Sequence, residues 1–141
     1  MKCMYKLLAV NEFAVTRDVV LESCETGKIE ICFDDSAVRN DNQDDFWFME
    51  IGKTYDCRIL LFDARIIDPS ELAEEYCMLC ASTNREFILG ESTLLQIKND
   101  DNIYYVSNEI IKNITDKDVF WLKYSRKDLI QVNDVINPGY L

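Results

Sequence analysis

Whatever chemistry this chain performs, it must manage without histidine, because none of its 141 residues is one. That removes Ser-His-Asp and Cys-His nucleophilic catalysis, and every zinc site that needs imidazole. Phosphate-binding loops, dinucleotide fingerprints and calcium-loop motifs are also missing. The reactive side chains that remain are thiols and carboxylates. Of Cys3, Cys24, Cys32, Cys57, Cys77 and Cys80, only Cys77-Met78-Leu79-Cys80 forms a C-x-x-C pair. A four-thiolate zinc site would need two more cysteines from distant, single positions. A redox pair belongs at a helix N-terminus, where the dipole lowers the thiol pKa. Here Glu71, Glu74 and Glu75 precede the pair, and the expected helix is ending. Packing is therefore the expected role, with all six thiols free and reduced, several of them inside apolar runs.

The carboxylates concentrate in one stretch. Between Asp34 and Glu50 lie six acids and one arginine, so this segment carries −5 of the formal net charge of −11. Such a loop can be simply solvated, can chelate a hard cation, or can meet lysine and arginine side chains on another protein. Directly after it come Phe46, Trp47 and Phe48. A strand cannot turn three consecutive aromatics inward. Either both faces are covered, or an aromatic anchor is presented beside the carboxylates, which is the make-up of a protein-binding hot spot. The expected partner-binding residues are Asp34, Asp35, Asp41, Asp44, Asp45, Trp47 and Glu50. No residue is assigned to catalysis, to a cofactor or to a metal.

The elements that would position these groups read mainly as strands. Tyr5 to Val10 is one apolar run. Val19–Leu21 and Ile29–Phe33 flank a turn at Glu25-Thr26-Gly27-Lys28, and Ile29, Ile31 and Phe33 alternate with Glu30, Cys32 and Asp34 at the period of a half-buried strand. Residues 34–45 read as a loop and Phe46–Ile51 as an aromatic run. Tyr55 to Phe62 follows as a further strand. The spacing of Leu72, Tyr76 and Leu79, behind Asp68 and Pro69, predicts a helix near residues 69–81. Asn99–Asn102 joins the two strands of a second hairpin. Phe120–Tyr124 alternates again, and the segment from Arg126 onward leans toward strand. The expectation is a single globular domain, 1–141, mainly β with one short helix. Its seven or eight strands would form an antiparallel small barrel or strongly bent sheet. A barrel of the oligonucleotide-binding type is compatible with this order.

Charge then narrows the function. A pI near 4.4 argues against nucleic acid and anionic membranes as partners. The apolar run at the N-terminus is too short for a signal peptide, and none approaches the ~20 residues of a membrane helix, so the expected location is the cytoplasm. The leading expectation is a non-enzymatic acidic binding protein that neutralises a basic protein partner, in the manner of an immunity protein inhibiting a cationic toxin or effector such as a nuclease. The alternative is a β-barrel that binds a small molecule or serves as an assembly subunit. A carboxylate- or metal-dependent enzyme ranks third.

Overall fold

The computed structural model describes residues 2–38, 44–73, 75–113 and 119–141. Its eleven strands are β1 Met4–Glu12, β2 Arg17–Ser23, β3 Ile29–Asp34, β4 Thr54–Phe62, β5 Arg65–Ile67, β6 Cys77–Leu89, β7 Ser92–Asn99, β8 Asn102–Ser107, β9 Val119–Lys123, β10 Arg126–Val132 and β11 Val135–Ile136. Five of them close a barrel in the order β1-β2-β3-β10-β4 and back to β1. The β1–β2, β2–β3, β10–β4 and β1–β4 seams are antiparallel. The β3–β10 seam is parallel and has a single register pair, Asp128 opposite Phe33. From β4 the sheet continues outward through β8, β7, β6, β9 and β5, while β11 flanks β10.

Local sequence accounts for the two hairpins. Gly27, at φ +77°, supplies the left-handed residue that the β2–β3 turn requires. Asp100, at φ 50°, does the same between β7 and β8. Aspartate tolerates that region better than most residues. The interior is filled by alternate residues of the barrel strands, among them Leu7, Val19, Leu21, Ile59, Leu61, Leu129 and Val132, together with Ile97, Tyr104 and Leu122 from the outer sheet. A second, smaller cluster of Leu60, Leu89, Leu94, Tyr105 and Ile130 packs where the outer sheet leaves β4.

Mainly β architecture and barrel closure match the sequence reading; the strand count and the helix do not. Among the described residues eleven strands form rather than seven or eight, because short pieces such as β5 and β11 carry too few residues to show a period. The helix near 69–81 is replaced by one 3-10 turn, Pro69–Glu71, and by the start of β6 at Cys77. Asp68 does cap that turn: Glu71 reaches back to its N–H at 3.0 Å. The apolar stripe fails as a packing face, since Leu72, Tyr76 and Leu79 are all exposed. From Cys77 the chain pairs with β9 at Cys77–Ala81 and alternates at period two, with Met78 and Cys80 buried. Tertiary pairing overrides the helical spacing. The aromatic run Phe46–Ile51 follows a turn-rich, non-strand path.

Polarity along β3 is the reverse of what hydropathy suggests. Glu30, Cys32 and Asp34 are fully buried, whereas Ile29 and Ile31 are 46% and 62% exposed.

Candidate partner-binding surface

The acidic segment begins inside the barrel wall. The Asp34 carboxylate accepts from Arg17 Nε at 2.7 Å, from the Ser36 N–H at 2.9 Å and from the Ser36 hydroxyl at 2.6 Å. Arg17 is itself buried and donates through Nη2 to the Phe46 carbonyl at 2.5 Å. The Phe46 N–H donates to Ser36 Oγ at 2.9 Å. Asp34 therefore holds the two ends of the β3–β4 loop together. It is unavailable to a partner, which corrects its place among the expected binding residues. Asp35 is half-buried and accepts from Asn137 Nδ2 at 2.7 Å, so it ties the loop to the C-terminal segment. Asp41 lies outside the described residues.

The second half of the loop is a presented surface. Phe46 and Met49 are buried and pin it to the barrel, and between and beyond them Trp47, Phe48 and Ile51 are exposed. Asp45 accepts from the Trp47 N–H at 2.9 Å, and the Tyr55 hydroxyl accepts from the Glu50 N–H at 2.7 Å. The Phe48 and Tyr55 rings meet edge to face at 5.8 Å between centroids. The Arg17 guanidinium lies 5.1 Å from the centre of the Trp47 ring, which fixes that side chain as well. Gly52 and Lys53 close the segment by exchanging backbone hydrogen bonds with Leu7 at 2.7 and 3.0 Å. Asp44 is exposed beside this ridge. Glu50 is exposed and forms an ion pair with Lys53. Of the expected residues, Asp44, Asp45, Trp47 and Glu50 thus lie on one anchored segment.

Sequence reasoning missed a buried charge cluster that joins β3, β8 and β10. Glu30 Oε1 accepts from Lys127 Nζ at 2.6 Å, and Lys28 Nζ lies 4.0 Å from it. Lys28 donates to the Tyr104 hydroxyl at 2.8 Å. Burial, then the Glu30 carboxylate, raises the Tyr104 phenol pKa far above its ordinary value. Burial lowers the pKa of Lys28. For Lys127 burial acts the same way, but the Glu30 carboxylate outweighs it and the pKa is raised. Glu30 Oε2 has no hydrogen-bond partner among the described residues. The available signal was an acid between two isoleucines, which reads as a solvent-facing residue until the lysine 97 positions away is known to reach it.

The C-x-x-C pair is not a dithiol site. On a strand, residues three apart point to opposite faces; Cys80 is buried and Cys77 only half-buried. Burial pushes the Cys80 thiol up to about 12. All six cysteines are free. Among the described residues no cluster of three or more acids or thiols is placed to hold a metal ion, and no helix is long and apolar enough to cross a membrane. Comparison with protein-family models, with curated proteins and with solved structures found no match.

Proposed function

We propose that this chain is a non-enzymatic binding protein whose partner is a basic protein. It would act as an immunity-type inhibitor that covers the active surface of a cationic toxin or effector, for which a nuclease is the fitting chemistry, in the cytoplasm. The observation that carries this reading is the anchored ridge Asp44–Ile51. Two exposed aromatics, already immobilised by Arg17, Tyr55 and the loop's own hydrogen bonds, stand among carboxylates. Rigid aromatics lose little entropy on contact, and a carboxylate field speeds encounter with a cationic surface. The remaining negative charge of the chain acts in the same direction at longer range.

The test is capture of the partner from the native host at low salt, followed by association kinetics with the purified pair. Rates should fall steeply with ionic strength, because screening beyond about 10 Å sets in near 0.1 M salt. Replacing both Asp44 and Asp45 with Asn should slow association, and Trp47→Ala should mainly speed dissociation. An acidic partner, or an association rate indifferent to salt and to both changes, would overturn the proposal.

One observation favours the alternative, a small-molecule site. A groove of about 610 Å³ runs between the end of β4 and the β7–β8 strands, with Leu60, Phe62, Thr93, Leu94 and Tyr140 on its walls. That volume falls in the usual range for ligands, ~300–1,000 Å³. A compound that raises the melting temperature and loses the effect in Thr93→Trp would support it.

A further inference from the structure

We infer that the outer edge of β3 is a strand-addition site for an extended, basic segment of the partner protein. This rests on the binding-protein reading above and adds the mode of recognition at a second face. The Ser23 N–H donates to the Lys28 carbonyl at 2.9 Å, so residues 23 and 28 form a hydrogen-bonded pair. In an antiparallel ladder such pairs alternate with non-bonded ones. With Leu21 opposite Glu30 and Val19 opposite Cys32, it is Glu30 and Cys32 that bond toward β2. The N–H and C=O groups of Ile29, Ile31 and Phe33 therefore point to the other side. There β10 and β3 share one register pair, Asp128 opposite Phe33, and the side-chain bond from Lys127 to Glu30. Neither Ile29 nor Ile31 is in register with a residue of β10. A row of free donors and acceptors is a template for another strand.

The side chains at this edge fit an incoming strand as well. Ile29 and Ile31 stand exposed on the wall of a groove of about 440 Å³, opposite Tyr76 and Tyr124. The groove's own cations are already neutralised. Arg126 bonds Asp128 at 2.6 and 3.3 Å and lies over the Phe33 and Phe62 rings, and Lys127 bonds Glu30. Asp18 lines the groove and forms no ion pair among the described residues, whereas Glu22, opposite Ile29 on β2, stands across from Lys6 of β1. The site thus offers apolar contacts, a strand edge without a laddered neighbour at Ile29 and Ile31, and the Asp18 carboxylate. A strand alternating apolar residues with lysine or arginine complements all three. A second copy of this chain would bring another charge of −11 to the same edge, which disfavours self-pairing.

The probe is an acetylated, amidated peptide of alternating valine and lysine. Its controls are the same peptide N-methylated at alternate residues and a valine–glutamate counterpart. Amide hydrogen exchange should show Ile29 and Ile31 exchanging fast in the free protein while Glu30 and Cys32 are protected. Adding the valine–lysine peptide should slow exchange at Ile29 and Ile31 at least tenfold, and N-methylation should weaken binding at least tenfold. Ile31→Lys, at an exposed position that leaves the core intact, should weaken it similarly. The inference fails if Ile29 and Ile31 are protected in the free monomer, if a concentration-dependent dimer protects them, or if the peptide binds without protecting them. It also fails if the glutamate peptide binds as well, or if no peptide binds. A captured basic partner that responds to the Asp44 and Asp45 changes but not to Ile31→Lys would defeat this inference and leave the binding-protein reading standing.

Discussion

Three thiols buried in the core make the fold sensitive to alkali, to an extent that can be worked out. Cys32, Cys57 and Cys80 are each at most 1% exposed, and burial raises all three above the ordinary thiol value of 9.0. Cys80, at about 12, is the least shifted of them. In the unfolded chain these thiols ionise near pH 9; in the folded one they stay protonated at pH 10. The folded state then binds more protons than the unfolded state, so stability must fall as pH rises. At pH 10 each thiol is about one unit past its unfolded pKa, a loss of about 1.4 kcal/mol, and three give about 4 kcal/mol. Against a typical total of about 5–15 kcal/mol this is large. As pH nears 10, where unfolded phenols ionise, the buried Tyr5 and Tyr104 phenols, also raised by burial, add to the loss, as does the raised Cys3 thiol. Urea unfolding at pH 7, 8.5 and 10, with reductant present, measures it. Cys57→Ala is less stable at every pH because it leaves a cavity, but its loss between pH 8.5 and 10 should be about 1 kcal/mol smaller. Equal losses in both proteins, or a flat profile to pH 10, would refute the assignment of buried, protonated thiols.

Two further substitutions probe the scaffold under the proposed surface. Asp34→Ala leaves Arg17 buried without a counter-charge and releases Ser36, so it should cost about 3–5 kcal/mol. Thermal unfolding should register a drop of roughly 10 °C, and replacing Arg17 with Met in the same protein should recover part of it. Gly90→Ala should also destabilise strongly, since at φ +57° the added Cβ would lie 1.8 Å from the Tyr140 carbonyl oxygen. Limited proteolysis should then release the C-terminal residues first.

The strands that flank turns carrying Gly or paired Asp and Asn were legible: β2 and β3, which alternate, and β7 and β8, which are apolar runs, lie where the sequence places them. The helix at 69–81 was not, because its evidence was a three-residue spacing. Spacing of that kind cannot compete with the five register pairs that Cys77–Ala81 makes with β9. The ridge was half legible. Composition pointed to Asp44, Asp45, Trp47 and Glu50, but it treated all the aspartates alike. Nothing local distinguishes Asp34 from Asp44. The difference is Arg17, which the β2–β3 pairing places directly opposite Asp34. Glu30 was hidden for the same reason, since Lys127 approaches it only once the barrel closes.

Those two buried acids explain why β3 faces the way it does. Glu30 and Asp34 are four apart on one strand, hence on one face, and each meets a basic residue from a different strand, β10 and β2. Buried ion pairs contribute little to stability once desolvation is counted, and well-packed apolar residues would serve as well or better. Their effect here is on register. Slipping β3 by one residue would bring Ile29, Ile31 and Phe33 inward, as hydropathy favours, but would leave Arg17 and Lys127 facing the interior without counter-charges. A cost of that kind at both ends of a short strand outweighs the gain from burying two isoleucines, about 1.5–3 kcal/mol each at most. The ion pairs thus turn the apolar face of β3, with Ile29 and Ile31, toward solvent and keep it there.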